Sequence, residues 1–339
     1  MPSASPVVTV SIAVHDGMRW LPGCLDSLMA QTLDDLEILI IDDASSDDSL
    51  DWLRRRAETD PRIELTASSA NLGYARAQNR NLHRARGSAV LLLNQDTELD
   101  PGFIEAAYAV LVARPVVAAV QGRLRRLDAD GNRSDALDST GLLMHRDRHA
   151  AIRGHLSTDD EDGDASVAGR IWGVDGPAPL IRTEALRSAR LPASRGGTEI
   201  LDEDFFMYKE DVDLAWRLRR LGWEAWYEPA ALAWHARGAG GPRERSPRRI
   251  ASASLANPAR VRQLSYRNQR LMQVKNDPLG RVLRDLPAIV LRELSELGYL
   301  LLRDRRRLRV MPSLLGSLPW AMRKRIALAR AVASRSRAN

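Results

Sequence analysis

Short apolar runs alternate with stretches of helical periodicity through the first 120 residues. Residues 7–14 and 37–41 are strand-like runs, and between them Trp20, Leu21, Cys24, Leu25 and Leu28 recur at three- and four-residue spacing, which predicts a helix. The polar segment Asp42-Asp43-Ala44-Ser45-Ser46-Asp47-Asp48 follows the second strand and supplies turn and N-cap residues for a helix over 49–57. A short strand over 62–65 and a helix over 74–86, closed by Gly87, come next. Residues 90–97 read Val-Leu-Leu-Leu-Asn-Gln-Asp-Thr, a run apolar enough to be buried on both faces of a sheet and ending in a polar, acidic cluster. Asp100-Pro101 predicts an N-cap with proline at the first helical position, and 116–120 reads as a further strand.

This alternation predicts an α/β fold with a parallel sheet and right-handed crossovers. Residues 128–170 are polar and read as surface loops or weak edge strands, and a helical pattern follows Met207. Gly238-Ala239-Gly240-Gly241-Pro242 breaks the chain, which suggests a first domain over 1–240 and a helical region over 241–339, with helices near 258–274, 279–302 and 314–333. The stretch 288–302 contains Arg292, Glu293 and Glu296, too much charge for a bilayer span.

Charge sharpens that division. The net +6 of the whole chain conceals a body (1–240) at −11 and a tail (241–339) at +17. In the tail, Arg303-Asp304-Arg305-Arg306-Arg307-Leu308-Arg309 adjoins an amphipathic stretch; a solvated face and an anionic membrane surface both fit it. Nucleic acid is not an expected partner, because no zinc finger, aromatic RNA-binding motif or zipper accompanies the charge. Cys24 is the sole cysteine, so an internal disulfide and a cysteine zinc site are both excluded, which fits a cytoplasmic location, at most peripheral on the inner face of the cell membrane. The run over 7–14 has no basic lead and no small-residue cleavage site, and reads as a first strand.

Ligands of parallel α/β sheets bind beyond the carboxyl ends of the strands, where Asp96 falls. A hard oxygen there suits Mg²⁺ or Mn²⁺, which share their shells with substrate phosphates; a plain turn into the next element is the other reading. The cluster Glu210-Asp211-Val212-Asp213 starts a helix, and Asp211 shares the face of Leu214, Ala215 and Leu218. A carboxylate on the inward face points to chemistry, an acidic first turn to the helix dipole; Asp213 and Glu210 are expected to face solvent or to complement that dipole. Asn71-Leu72-Gly73 sits in a strand-to-helix turn with Arg76 one turn later, within reach of a phosphate, Asp43 is placed for a base or ribose, and His235 ends an apolar stretch. No Gly-x-Gly-x-x-Gly follows a strand and no Walker-type loop occurs, which removes the usual support for hydride transfer and P-loop chemistry.

In order and spacing, Ile40-Ile41-Asp42-Asp43-Ala44-Ser45, Asn71-Leu72-Gly73-Tyr74-Ala75-Arg76, Leu92-Leu93-Asn94-Gln95-Asp96-Thr97 and Phe205-Phe206-Met207-Tyr208-Lys209-Glu210-Asp211-Val212-Asp213-Leu214 resemble the family-2 glycosyltransferases of GT-A fold. Asp138-Ser139-Thr140-Gly141 and Tyr266-Arg267-Asn268 resemble the bacterial rhamnosyltransferase-like branch. The resemblance implies an inverting, metal-dependent transfer of a sugar, such as rhamnose, from a dTDP- or UDP-sugar to a cell-envelope glycan or lipid-linked acceptor. It implies Asp211 as general base, Asp96 with His235 at an Mg²⁺ or Mn²⁺ ion, and Val14, Asp16, Asp43, Asn71, Gly73, Arg76, Asn94 and Gln95 about the nucleotide. Trp172, Gly176, Glu210 and Trp216 would line the acceptor or donor-sugar pocket. The chain departs from the family pattern at Asn94-Gln95-Asp96, one carboxylate short of the usual acidic pair, at Ala13-Val14-His15-Asp16, and at Pro177 and Pro179. A sugar-nucleotide nucleotidyltransferase is the enzyme alternative, though residues 7–17 offer no glycine-rich basic loop, and a nucleotide- or glycan-binding pseudoenzyme is the non-catalytic one.

Overall fold

The computed structural model describes residues 6–128, 130–157, 165–237 and 257–338; the chain break at 238–242 lies outside them. The elements are β1 (Val8–Val14), α1 (Leu21–Met29), β2 (Leu36–Asp42), α2 (Ser49–Thr59), β3 (Ile63–Ala67), α3 (Tyr74–Arg84), β4 (Ala89–Asn94), β5 (Thr97–Leu99), α4 (Phe103–Ala113), β6 (Val117–Leu127) and β7 (Arg133–Ser139). There follow β8 (Leu142–Met144), β9 (Ala150–Ile152), β10 (Gly169–Ile171), β11 (Leu180–Arg182), α5 (Thr183–Ser188), β12 (Leu191–Pro192), β13 (Thr198–Glu199), α6 (Glu210–Arg220), β14 (Glu224–His235), α7 (Ala259–Asn276), α8 (Leu279–Arg303) and α9 (Met311–Ala338).

A ten-stranded sheet runs β10-β14-β6-β11-β4-β1-β2-β3, with β5 paired to β14 and β7 to β6. Alternate residues of β1, β2 and β4 face opposite layers. Val10, Ile12, Ile40 and Leu91 pack with Leu25 and Phe103, whereas Leu39, Val90 and Leu92 pack with Leu82, Leu186 and Leu218. Burial on both faces is what makes these strands near-continuous apolar runs.

The sheet is not wholly parallel. β11 lies antiparallel between β4 and β6. Among the described residues no helix separates it from β10, so the chain arrives at the carboxyl end of β4 and must run back down. It is already alongside at Pro177 and Pro179, whose carbonyls accept from Asn94 and Leu92. Proline fits there because only acceptors are needed on that side. The run over 90–97 is likewise two strands: β4 ends at Asn94, Gln95-Asp96 turns, and β5 folds onto β14 with Thr97 opposite His235. α4 starts at Phe103 with Gly102 at its cap. Asp100 instead forms the preceding turn, accepting from Gly102 and Phe103. The segment 128–170 does contain short strands, but Asp138, Ser139 and Thr140 are fully buried rather than superficial, because β7 pairs with the long β6.

The basic helices pack onto the α/β body. Leu271 and Met272 of α7 and Leu314 and Ala321 of α9 join Phe205, Val212 and Trp216 in one core. Two lysines are buried in the same junction. Lys275 meets Asp202 and Asp213, and Lys324 lies 2.6 Å from Glu199, 2.5 Å from Asp202 and 2.7 Å from Asp204. Asp202 is buried, but the two lysine charges hold its carboxyl well below the ordinary range. Removing one partner of a buried pair typically costs about 3–5 kcal/mol because the other charge stays behind unpaired. Lys324→Met is therefore expected to lower the urea midpoint by that much free energy with the slope unchanged; a shift under about 1 kcal/mol would show that the network carries little.

Candidate active site

Two adjoining clefts open at the carboxyl ends of β1, β2 and β4. The first has a volume of about 460 Å³ and is walled by Val14, Asp43, Asn71, Gly73, Gln95 and Asp96 from the sheet side, and by Phe206, Arg260 and Leu264 from across it. The second, about 420 Å³, is walled by Asp175, Gly176, Lys209, Glu210, Asp211, His235 and Arg237. Tyr74, Asn94 and Met207 line both and form the partition. Each volume is of the size that holds a small-molecule ligand.

The first cleft owes its shape to Asp43. Its two oxygens accept from the backbone N–H of Leu72 at 2.8 Å and Gly73 at 2.9 Å, fixing the turn that starts α3. Burial raises its carboxyl above the ordinary value, partly offset by those hydrogen bonds. Asn71 adds a 3.0 Å bond to the Gly73 N–H. Gly73 has φ +82°, and a Cβ there would lie 2.4 Å from the Phe206 ring and 2.7 Å from its carbonyl. Only glycine allows that approach.

β5–β14 pairing brings His235 to Asp96, with Nε2 and Oδ1 3.4 Å apart, although they are far apart in sequence. From there a chain of charged groups runs into the second cleft. His235 Nδ1 lies 2.9 Å from Oδ2 of the buried Asp138, and Asp138 Oδ1 accepts from Arg237 Nε at 2.6 Å. Arg237 reaches Asp175 at 3.2 Å, and the Asp175 side chain adjoins Asp211. Burial opposes charge on His235, but Asp96 and Asp138 on its two nitrogens reverse that and raise it to about 10. Burial alone would raise Asp138; the hydrogen bond from His235 and the Arg237 charge instead hold it well below the ordinary carboxylate range.

The donor set suits a divalent cation: one carboxylate oxygen and one imidazole nitrogen whose other nitrogen is held by a buried carboxylate, the usual second partner of a metal-binding histidine. The buried Oδ1 of Asn94, beside them in the partition, has no hydrogen-bond partner among the described residues. Among the described residues, no group of three or more His, Cys, Asp or Glu side chains is gathered for a metal.

In the second cleft, Asp211 stands at the first turn of α6, its Oδ1 accepting from the Val212 N–H at 2.7 Å. Burial and the neighbouring Asp175 raise its carboxyl to about 6. Burial and Asp211 raise Glu210 to about 8, and Glu210 Oε2 has no hydrogen-bond partner among the described residues. Gly176 leaves the space beside Asp211 open, since a Cβ there would sit 3.6 Å from Oδ2. The loop before α6 is strained, with positive φ at Phe206, Tyr208 and Lys209. Asn268 of α7 holds it by donating to the carbonyls of Phe205, Met207 and Tyr208, each at 2.9 Å.

Some residues singled out from sequence stand elsewhere. Arg76 pairs with Glu203 at 3.6 Å and lines neither cleft, and Asp16 stays exposed outside both clefts, accepting from the Ser46 N–H at 2.6 Å. Trp172 and Trp216 contact edge to face at 6.2 Å and line a separate 140 Å³ cavity beside Arg148 and Arg281. Trp216 is drawn there by the core between α6 and α7. Asp213 does not face solvent. It is fully buried, bonded to Arg217 at 2.9 Å and Asn276 at 2.7 Å, because α7 covers that side of α6. Sequence reasoning gave no role to Asp138, Asp175, Arg237 or Arg260. Asp138 stands in the Asp138-Ser139-Thr140-Gly141 motif, Arg237 lies two residues past His235, and nothing in the local pattern marks Arg260.

Residues 9–171 match Glycosyl transferase family 2. The chain carries a family-2 glycosyltransferase domain. N-acetylglucosaminyl-diphospho-decaprenol L-rhamnosyltransferase of Mycobacterium tuberculosis (strain CDC 1551 / Oshkosh) is 28% identical over 252 residues, covering 69% of this chain and 76% of that protein. This is in line with the rhamnosyltransferase-like resemblance. Chondroitin synthase of Escherichia coli is 30% identical over 127 residues, 38% of this chain. The chain spans only 18% of the length of that synthase and 29% of the putative glycosyltransferase EpsH of Bacillus subtilis (strain 168). Among solved structures, the mannosyltransferase PcManGT from Pyrobaculum calidifontis in complex with GDP-Man and Mn2+ aligns with TM-score 0.52 at 18% identity, covering 98% of this chain and 76% of that one. TarS 1-349 of S. aureus in complex with UDP aligns with TM-score 0.52 at 15% identity, covering 97% and 91%. The fold of this glycosyltransferase domain is GT-A, and in the full chain it is followed by the long C-terminal helices.

The Asp138 carboxylate is expected to set the proton affinity of His235. Followed by NMR of the imidazole in the metal-free protein, the His235 midpoint should lie well above neutral pH and fall by at least about one unit in Asp138→Asn. An unchanged midpoint would show that Asp96 alone holds the proton.

Proposed function

We propose that this protein is an inverting glycosyltransferase that moves a sugar from a nucleotide-diphosphate donor to a hydroxyl of a cell-envelope glycan or lipid-linked acceptor. The observation that carries the reading is the charged chain from Asp96 through His235, Asp138, Arg237 and Asp175 to Asp211, which joins the cleft bordered by Asp43 to the one bordered by Asp211. The nucleotide occupies the first cleft, with its base near Asp43 and Asn71 and its diphosphate toward Asp96 and Arg260. The acceptor occupies the second. A dTDP- or UDP-sugar is the proposed donor. Rhamnose is the first sugar to test, since it is named in the mycobacterial relative, as is a lipid-linked acceptor. The same reading places the protein at the inner face of the cell membrane.

A sugar hydroxyl is a weak nucleophile until its proton is taken during attack. Asp211, raised to about 6, is ionised at neutral pH yet basic enough to accept that proton. As the acceptor oxygen bonds to the anomeric carbon from the side opposite the nucleotide, the bond to the diphosphate oxygen breaks and its electron pair leaves with the nucleotide, so the configuration inverts. Glu210, held protonated by burial, is a hydrogen-bond donor available to the acceptor. Asp96 and His235 would hold Mg²⁺ or Mn²⁺, which supplies Lewis-acid neutralisation of the diphosphate charge when bound.

Asp211→Asn should lower kcat/KM by at least about 100-fold while nucleotide diphosphate still binds. The base works only when deprotonated, so wild-type kcat/KM should fall as pH drops through about 6, and the variant should lose that limb. Near-normal turnover in the variant would remove Asp211 as the base. In thermal shift assays across nucleotide sugars, at least one dTDP- or UDP-sugar with Mn²⁺ or Mg²⁺ should raise Tm more than nucleotide or metal alone; no response to any nucleotide diphosphate would overturn the transferase reading.

A further inference from the structure

Helix α8 carries an apolar stripe that nothing among the described residues covers. Leu279, Leu283, Leu286, Val290, Leu294 and Leu301 follow one another at spacings that keep to a single helical face, and all are 44–65% exposed. Leu291 and Leu302, at 69% and 81%, widen it on one side. The helix's acidic residues turn to the body instead, where Asp285 meets Arg148 at 2.9 Å and Glu293 and Glu296 meet Arg270. A contiguous exposed stripe of this length is an interaction surface, not the scatter of single apolar residues found on any protein.

Charge selects the occupant. Arg303, Arg305, Arg306 and Arg309, just beyond the stripe, are exposed and form no ion pair among the described residues. Arg281 and Arg284 stand exposed at the other end. Two copies of the chain pairing along α8 in either direction would set arginines against arginines. Anionic headgroups above an acyl layer match both features at once. At about 1.5 Å per residue the 25-residue helix is roughly 37 Å long, yet no described helix is apolar enough to cross a bilayer. We propose that α8 lies flat in the surface of an anionic membrane, its leucine stripe in the acyl boundary and the arginines after Leu302 among the headgroups. This placement does not depend on the transfer chemistry, and it would hold the clefts at the surface where a lipid-linked acceptor presents its sugar.

The test is co-sedimentation of the full chain with vesicles of phosphatidylcholine mixed with phosphatidylglycerol, compared with phosphatidylcholine alone. The wild type should sediment with the anionic vesicles, and added salt should weaken this without abolishing it, since screening acts on the arginines and not on the leucines. Leu283→Glu/Leu294→Glu/Leu301→Glu should lower partition by at least about tenfold. These side chains line neither cleft, so circular dichroism and nucleotide-induced thermal shift should match the wild type. A second variant, Arg303→Glu/Arg306→Glu/Arg309→Glu, should remove the preference for anionic vesicles. Failure of the wild type to bind, or binding unaffected by the leucine substitutions, would overturn the proposal. So would a dimer in sedimentation velocity that the glutamates dissociate without any vesicle binding, which would give the stripe to a second copy. Wild-type protein that binds anionic vesicles yet shows no nucleotide-induced thermal shift would count against the cleft assignment alone.

Discussion

A carboxylate with no exposure to water, Asp138, is the constraint on which the site rests. Removing a carboxylate from water carries a penalty of several kcal/mol unless cations and hydrogen bonds replace the solvent. Here His235 and Arg237 replace it. The need is mutual: it fixes which way the imidazole faces, what lies on its far nitrogen, and where the guanidinium can extend next. The end of β14, the buried edge of β7 and the wall of the second cleft are thereby set together. A neutral residue at 138 would leave His235 with Asp96 alone and Arg237 with Asp175 alone.

The same logic works on the other side of α6. Lys275 and Lys324 bring their charges from α7 and α9 into a junction with Glu199, Asp202 and Asp213. Apolar packing could hold two helices against the body in several registers. Buried charges that must meet particular carboxylates leave far fewer, which gives the contacts of Asn268 with the strained loop a defined position.

How much of this was legible from sequence follows from what periodicity measures. Residues 7–14, 37–41 and the first half of 90–97 announced themselves as strands because both of their faces are buried. Asp43, Asp96, Asp211 and His235 were conspicuous as polar residues at the ends of such elements, and the structure gathers all four around two adjoining clefts. Asp138 was hidden because its neighbours are those of a surface segment, and only pairing with β6 buries it. Asp213 was misplaced for the same reason, since the helix covering it starts dozens of residues later. Local pattern could not show that β11 runs antiparallel, or that Trp172 and Trp216 share a cavity away from the clefts, because both depend on how the chain returns and not on its period.

The first cleft is walled on one side by the sheet and on the other by Pro258, Arg260, Val261 and Leu264 of the segment leading into and forming α7. Anything bound between them is touched by both, so its binding equilibrium and the docking of α7 are thermodynamically linked. Linkage is reciprocal: a ligand that tightens the helix against the body is itself bound more tightly wherever the helix is already held. The helix's other duties then become part of affinity. A contact made by the C-terminal region with some third body, far from the nucleotide, would alter retention of the ligand without touching a single group that recognises it.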